Sequence, residues 1–235
     1  MKKLVILQSN YIPWKGYFDI LHDADMFLFY DEVQFTTRDW RNRNKVYSKQ
    51  GLSKWLTVPC GNDRDRRIDE VKINNDLPWN QDHWNAISNA YAKAPHFHEY
   101  KDFFQHVYFE MKWEYLSHLN QFLIKHISKE FLGVKTEFAS STEYDSTGKS
   151  SDKILSLCKS VGCEEYISGP AAKSYMDEAA FSAEGINVAW KDYSGYPEYS
   201  QAREPFENAV SIVDLLMNTG KDAPYYIWGW REVLK

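Results

Sequence analysis

Two short apolar runs near the N-terminus, residues 4–8 and 26–30, flank a stretch of helical pattern, and no other feature constrains the fold as much. A short apolar run bounded by turn signals reads as a buried strand. After the first run, Ser9-Asn10-Tyr11-Ile12-Pro13 reads as a loop. Residues 14–22 then fit a helix. Pro13 can take its first position, where a missing N–H costs nothing. Strand, loop, helix and strand within thirty residues form a parallel crossover unit.

The rest of the chain extends this reading. Residues 43–47 and 54–58 pattern as a hairpin around Lys49-Gln50-Gly51. From about 78 to 132 apolar residues recur at helical spacing, with Pro95 dividing one helix from the next and Gly133 closing the last. A second series follows: strand 134–138, helix 149–161, strand 166–168, helix 176–183 and strand 186–190, with a late helix around Leu215-Leu216-Met217. The expected fold is α/β, a mainly parallel sheet built from strand–loop–helix units with a helical insertion at about 78–132. One domain covers residues 1–235. With 43% hydrophobic and 26% charged residues the chain is globular. No apolar run approaches the ~20 residues of a membrane span, and the short N-terminal run is no signal peptide, so a cytoplasmic location is expected. Three cysteines and no Cys-x-x-Cys pair give neither a disulfide framework nor a zinc site, and the histidine spacing offers no metal motif.

Charge is unevenly placed. The net charge is −5, yet residues 36–67 hold nine basic and three acidic residues, so that segment is +6 and the remainder −11. A basic stretch in an acidic chain fits one local anionic ligand or a solvated hairpin. It argues against nucleic acid, which calls for a wider basic face.

Ligands of open parallel sheets bind beyond the carboxyl ends of strands, which selects the candidates. Gln8, Asn10 and Tyr11 emerge from the first strand, either to orient a reacting group or to cap the helix. Asp31 follows the second strand, as a base or as a turn residue. Gln34, Arg38, Asn42, Arg43, Asn44 and Lys45 supply phosphate and amide donors. Ser168, Gly169, Lys173, Tyr175, Tyr199 and Gln201 would form the opposite wall. Gly148-Lys149-Ser150 is not a P-loop, because position 143 is Glu where the motif needs Gly.

Taken together, Gln8-x-Asn10-Tyr11-Ile12-Pro13-Trp14-x-Gly16-Tyr17-Phe18, Asp31-x-Val33-Gln34-Phe35 and Asn42-Arg43-Asn44-Lys45 resemble the WbqC-like protein family. Trp55-Leu56-Thr57-Val58-Pro59, Ser168-Gly169-Pro170-Ala171-Ala172 and Pro197-x-Tyr199-x-Gln201 continue the match. Family members often read His-Gln-Pro-Asn-Tyr, whereas here Leu7 stands for the His and Ser9 for the Pro. The resemblance implies a place in bacterial surface-polysaccharide (O-antigen) biosynthesis and a partner that is a nucleotide sugar or another phosphate-bearing small molecule. Two expectations follow. One is a transferase that moves an acyl or aminoacyl group onto a nucleotide-linked amino sugar. The other is a non-catalytic module that binds the sugar nucleotide. No cofactor is named by the residues.

Overall fold

The computed structural model describes residues 1–47, 51–61, 63, 65–202 and 204–233. Parallel pairing decides its architecture. Strand β1 (Lys3–Leu7) leads through α1 (Lys15–His22) into β2 (Met26–Phe29), and the two pair in parallel with Leu4 opposite Met26. A hairpin of β3 (Arg43–Tyr47) and β4 (Ser53–Thr57) follows. Residues 48–50 of its expected turn lie outside the described residues. Three helices come next: α2 (Trp79–Tyr91), α3 (Phe97–Gln105) and α4 (Leu116–His126). The second series is β5 (Glu137–Ser140), α5 (Ser151–Val161), β6 (Glu165–Ser168), α6 (Glu178–Ala183) and β7 (Asn187–Trp190). Helices α7 (Ile212–Thr219) and α8 (Trp230–Val233) close the chain.

The five strands outside the hairpin form one parallel sheet in the order β5-β2-β1-β6-β7. The chain starts in the middle, winds to one edge and then crosses back to build the other side. Because winding reverses between β1 and β6, their connections leave on opposite faces and open a crevice at the carboxyl ends. The side-chain alternation of strands supplies the two faces. Val5, Phe27, Phe29 and Ile167 share a core with α1, α7 and the inserted helices. Leu4, Ile6, Leu28 and Tyr166 pack against Ile154, Leu157 and Phe181 from α5 and α6. The insertion is built as its spacing predicts, with Leu116, Leu119, Leu123, Ile124 and Ile127 all fully buried on one side.

Two local readings need correction. Trp14, in extended conformation, is the residue before α1, so Pro13 lies outside the helix rather than at its first position. The strand expected at residues 134–138 begins only at Glu137. Val134 is buried in the core, and the Thr136 hydroxyl donates to the carbonyls of Leu21 and Ala24. Packing and capping use those residues before sheet pairing starts. Across α1, the buried Asp19 accepts two hydrogen bonds from Arg231, pairs with Lys191 at 2.8 Å and accepts from the Tyr196 hydroxyl. A buried carboxylate with so many partners fastens the C-terminal segment to the first helix. Removing one partner of such a pair typically costs about 3–5 kcal/mol.

Candidate functional site

The loop after β1 is irregular, yet most of its backbone groups have a partner. Asp31 accepts the Ser9 N–H at 2.7 Å on one oxygen and the Gln121 amide at 2.8 Å on the other. Asn44 donates to the carbonyls of Tyr11 and Ile12, and Ser211 donates to that of Ile12. Tyr17 donates to the Gln8 carbonyl, and Asn120 to those of Ser9 and Arg41. The Tyr11 N–H donates to the Trp40 carbonyl at 3.0 Å. Ile12 is held at φ 35, a left-handed backbone that a branched residue adopts only when its surroundings enforce it. The loop is thus preorganised by buried polar side chains from five other segments. Burial raises the Asp31 carboxyl above its ordinary range, and the Ser9 and Gln121 donors oppose that shift.

On one side of this loop is the crevice between β1 and β6. It is a cleft of about 470 Å³ lined by Leu7, Gln8, Tyr30, Ser150, Ser168 and Tyr175, among others. Its polar side chains are hydroxyls and one carboxamide, and among the described residues no charged side chain lines it. Burial pushes the Tyr30 phenol up to about 12 and raises Tyr166 as well, so both remain protonated donors at neutral pH. Leu7, where family members often carry His, lines this cleft. The departure from the family pattern falls inside the site.

The other side of the loop faces a cavity of about 290 Å³ lined by Asn10, Pro13, Trp14, Trp40, Asn44 and Ala209. Gly16 makes room for it: a Cβ there would lie 2.2 Å from the Trp14 ring, which rests on the first turn of α1. Trp40 lies 5.8 Å from Trp55 between ring centroids, and the Arg43 guanidinium sits 4.4 Å above Trp55. Among the described residues Arg43 has neither an acid nor a hydrogen-bond acceptor, and its Nε is buried without a partner. Arg38 is exposed and has no ion pair among the described residues. Most of the other cations of this stretch are engaged. Lys45 pairs with Glu207, Arg41 with Asp39, and Arg67 with Asp69 and Glu70, while Arg66 donates to the carbonyls of Asp63 and Cys60.

The expected residues therefore separate into groups. Gln8, Ser168, Gly169 and Tyr175 meet in the cleft. Asn10 and Asn44 line the aromatic pocket, and Arg43 lies over Trp55, the ring next to Trp40. Tyr11 is fully buried, its hydroxyl bonded to His83 and Tyr108. Burial lowers the His83 imidazole to about 4, so it is neutral in this chain of hydrogen bonds. Asn42 donates to the Val58 carbonyl at the base of the hairpin. Gln34 is exposed and bridges to Arg67 in antiparallel fashion. Lys173 lies over the Trp190 ring. Tyr199 and Gln201 both donate to the buried Asp214, which also accepts from Tyr91. Of the residues that hold the first loop, Tyr17 falls within the first motif, whereas Asn120 and Gln121 carry none, and only their polarity within an apolar helical pattern marks them in the sequence.

Among the described residues no helix is long and apolar enough to cross a membrane. No solved structure matches the chain. A curated relative, "Uncharacterized protein Rv1507c" of Mycobacterium tuberculosis (strain ATCC 25618 / H37Rv), is 43% identical over 234 residues, covering 99% of this chain and all of that protein. The model of the WbqC-like protein family matches residues 8–226, which include the preorganised loop and residues of both cavities, and the chain belongs to that family.

Proposed function

We propose that this protein binds a nucleotide-linked amino sugar of bacterial surface-polysaccharide biosynthesis and acts in transferring an acyl or aminoacyl group to it. The observation that carries the reading is the cleft at the winding reversal. Sheets of this kind place ligands there, and the lining of Gln8, Ser150, Ser168, Tyr30 and Tyr175 offers neutral donors and acceptors. Such groups complement the hydroxyls and amide of a sugar ring, and the phenols supply flat surface beside it. Family membership supports the same reading. Gln8 would contact the reacting end of the sugar. Asp31, whose two oxygens are already occupied by Ser9 and Gln121, would act as a positioning residue for the loop.

A second reading has its own observation. The cleft is lined by hydroxyls, a carboxamide and apolar groups, with Leu7 where the family often has His, and burial pushes its Tyr30 phenol up to about 12. That favours a module that binds the sugar nucleotide without turning it over. Calorimetric titration with a panel of nucleotide sugars tests what the two readings share, and binding of none would reject both. Turnover assays on wild type and Asp31→Asn then separate them. A variant that folds and binds but loses turnover makes Asp31 the base of an enzyme, and turnover retained in the variant leaves Asp31 its positioning role. Ligand binding with no turnover in wild type leaves the module.

A further inference from the structure

The cavity between Trp14 and Trp40 lies across the first loop from the cleft, and the cleft does not account for it. We propose that it binds a nucleoside phosphate, with the base against the indoles and the phosphate on Arg43. The inference depends on the reading above only for the source of that nucleotide.

The ring walls are the first reason. Pro13, Trp14 and Trp40 enclose about 290 Å³, at the lower end for ligand pockets. That is room for one flat ring system, so a charged tail would lie at the rim. Stacking on an indole suits any base, because each has a π face. Asn10 adds a carboxamide to the wall for the ring edge.

The second reason is a cation one ring beyond that wall. Trp40 meets Trp55, and Arg43 lies over Trp55. Arg43 is half-buried, and no acid or carbonyl among the described residues takes its donors. Partial burial of an unpaired cation is unfavourable unless an anion completes it. A guanidinium holds phosphate through two parallel hydrogen bonds, a geometry that Lys cannot reproduce. The pocket is also built in advance: Gly16 admits the Trp14 ring, and the Tyr11 N–H fixes the backbone of Trp40.

The full chain would be titrated with ADP, adenosine and pyrophosphate in separate experiments, read by tryptophan fluorescence and calorimetry. ADP should bind more tightly than either part. Arg43→Ala should weaken ADP roughly 10- to 150-fold, the loss of a charge-assisted contact, and leave adenosine unchanged. Trp40→Ala should weaken both. Arg67→Ala, whose guanidinium is already paired, should change neither. Melts without ligand verify folding, and Arg43→Lys, which keeps the charge and loses the fork, serves if Arg43→Ala unfolds. Failure of ADP to bind, or binding unchanged by both Arg43→Ala and Trp40→Ala, overturns the proposal. Competition with UDP-N-acetylglucosamine identifies the source. Displacement of ADP assigns the pocket to the nucleotide of the sugar, and simultaneous binding assigns it to the nucleotide of a group donor. If ADP binds and no nucleotide sugar does, the pocket stands and the sugar reading falls.

Discussion

The cleft and the aromatic pocket are walled by the same loop, two residues apart, yet they would hold a ligand by different forces. Gln8 belongs to the cleft, where the polar side chains among the described residues are hydroxyls and a carboxamide. Asn10 belongs to the pocket, whose Trp40 ring adjoins Trp55 and, over it, the Arg43 cation, which has no counter-ion among the described residues. A neutral cleft selects by matching hydrogen bonds, each worth about 0.5–1.5 kcal/mol net. A ring wall beside a free guanidinium works through stacking and charge, which salt weakens. The difference teaches where basic residues matter. The stretch 36–67 is rich in them, but Lys45, Arg41 and Arg67 already have acidic partners, and among the described residues Arg43 has none.

The change expected to break both sites at once is Asp31→Ala. It leaves the Ser9 N–H and the Gln121 amide without their acceptor in a buried place, at a cost of about 2–4 kcal/mol. Denaturant unfolding should show that loss, and ligand binding should fail in cleft and pocket together. Loss at one of them alone would mean that the loop is not a common support.

A narrower break is Gly16→Ala. Ala is the better helix former by about 1 kcal/mol, but its Cβ would overlap the Trp14 ring. Overpacking of this kind costs about 1–3 kcal/mol. A lower melting temperature, a shifted tryptophan emission and weaker ADP binding are expected, because Trp14 must leave its place in the pocket.

Gln8→Ala sharpens the comparison from the other side. The Gln8 side chain lines the cleft. Stability should stay within about 0.5 kcal/mol of wild type. Affinity for a nucleotide sugar should fall about 2- to 13-fold, the loss of one hydrogen bond. Adenosine affinity should not change; a parallel loss would show that the two cavities are one.

The smallest effect is a pH dependence behind Trp14. Lys15 is buried, its ammonium among the rings of Tyr196, Tyr199 and Phe206, and burial lowers its pKa from 10.5 to about 8. Between those values the unfolded chain holds the proton and the folded chain releases it, so stability rises with pH. From pH 8 to 9 wild type should gain at most about 1 kcal/mol relative to Lys15→Met. Equal slopes in urea unfolding of the two proteins would mean that Lys15 is solvated and the segment at 196–206 is not closed over it.

How legible these features were depends on how local they are. The series β1, α1 and β2 could be read from the chain because burial on both faces of a strand leaves a continuous apolar run. The hairpin and the inserted helices were legible for the same reason, through periods of two and 3.6 residues. Pro13 shows where this ends. Its chemistry allowed the first helical position, but the loop needed it two places earlier, where Trp14 could precede α1 and lay its ring over Gly16. Residues 134–136 read as strand from their composition and serve as core and cap instead.

The parallel α/β plan, the position of the first loop at a strand end, the family and the basic stretch were all readable along the chain, because each is written in neighbouring residues. Which polar groups face a cavity was settled by folding. Asp31 is drawn to Ser9 and Gln121, Lys45 to Glu207 and Gln201 to Asp214, partners as far as 162 positions away along the chain. Gln8 stays in the cleft, and Arg43 remains over Trp55 with no acid among the described residues. The physical reason is that a buried polar group must find a partner, and which partner is near is settled by the fold and not by the order of residues.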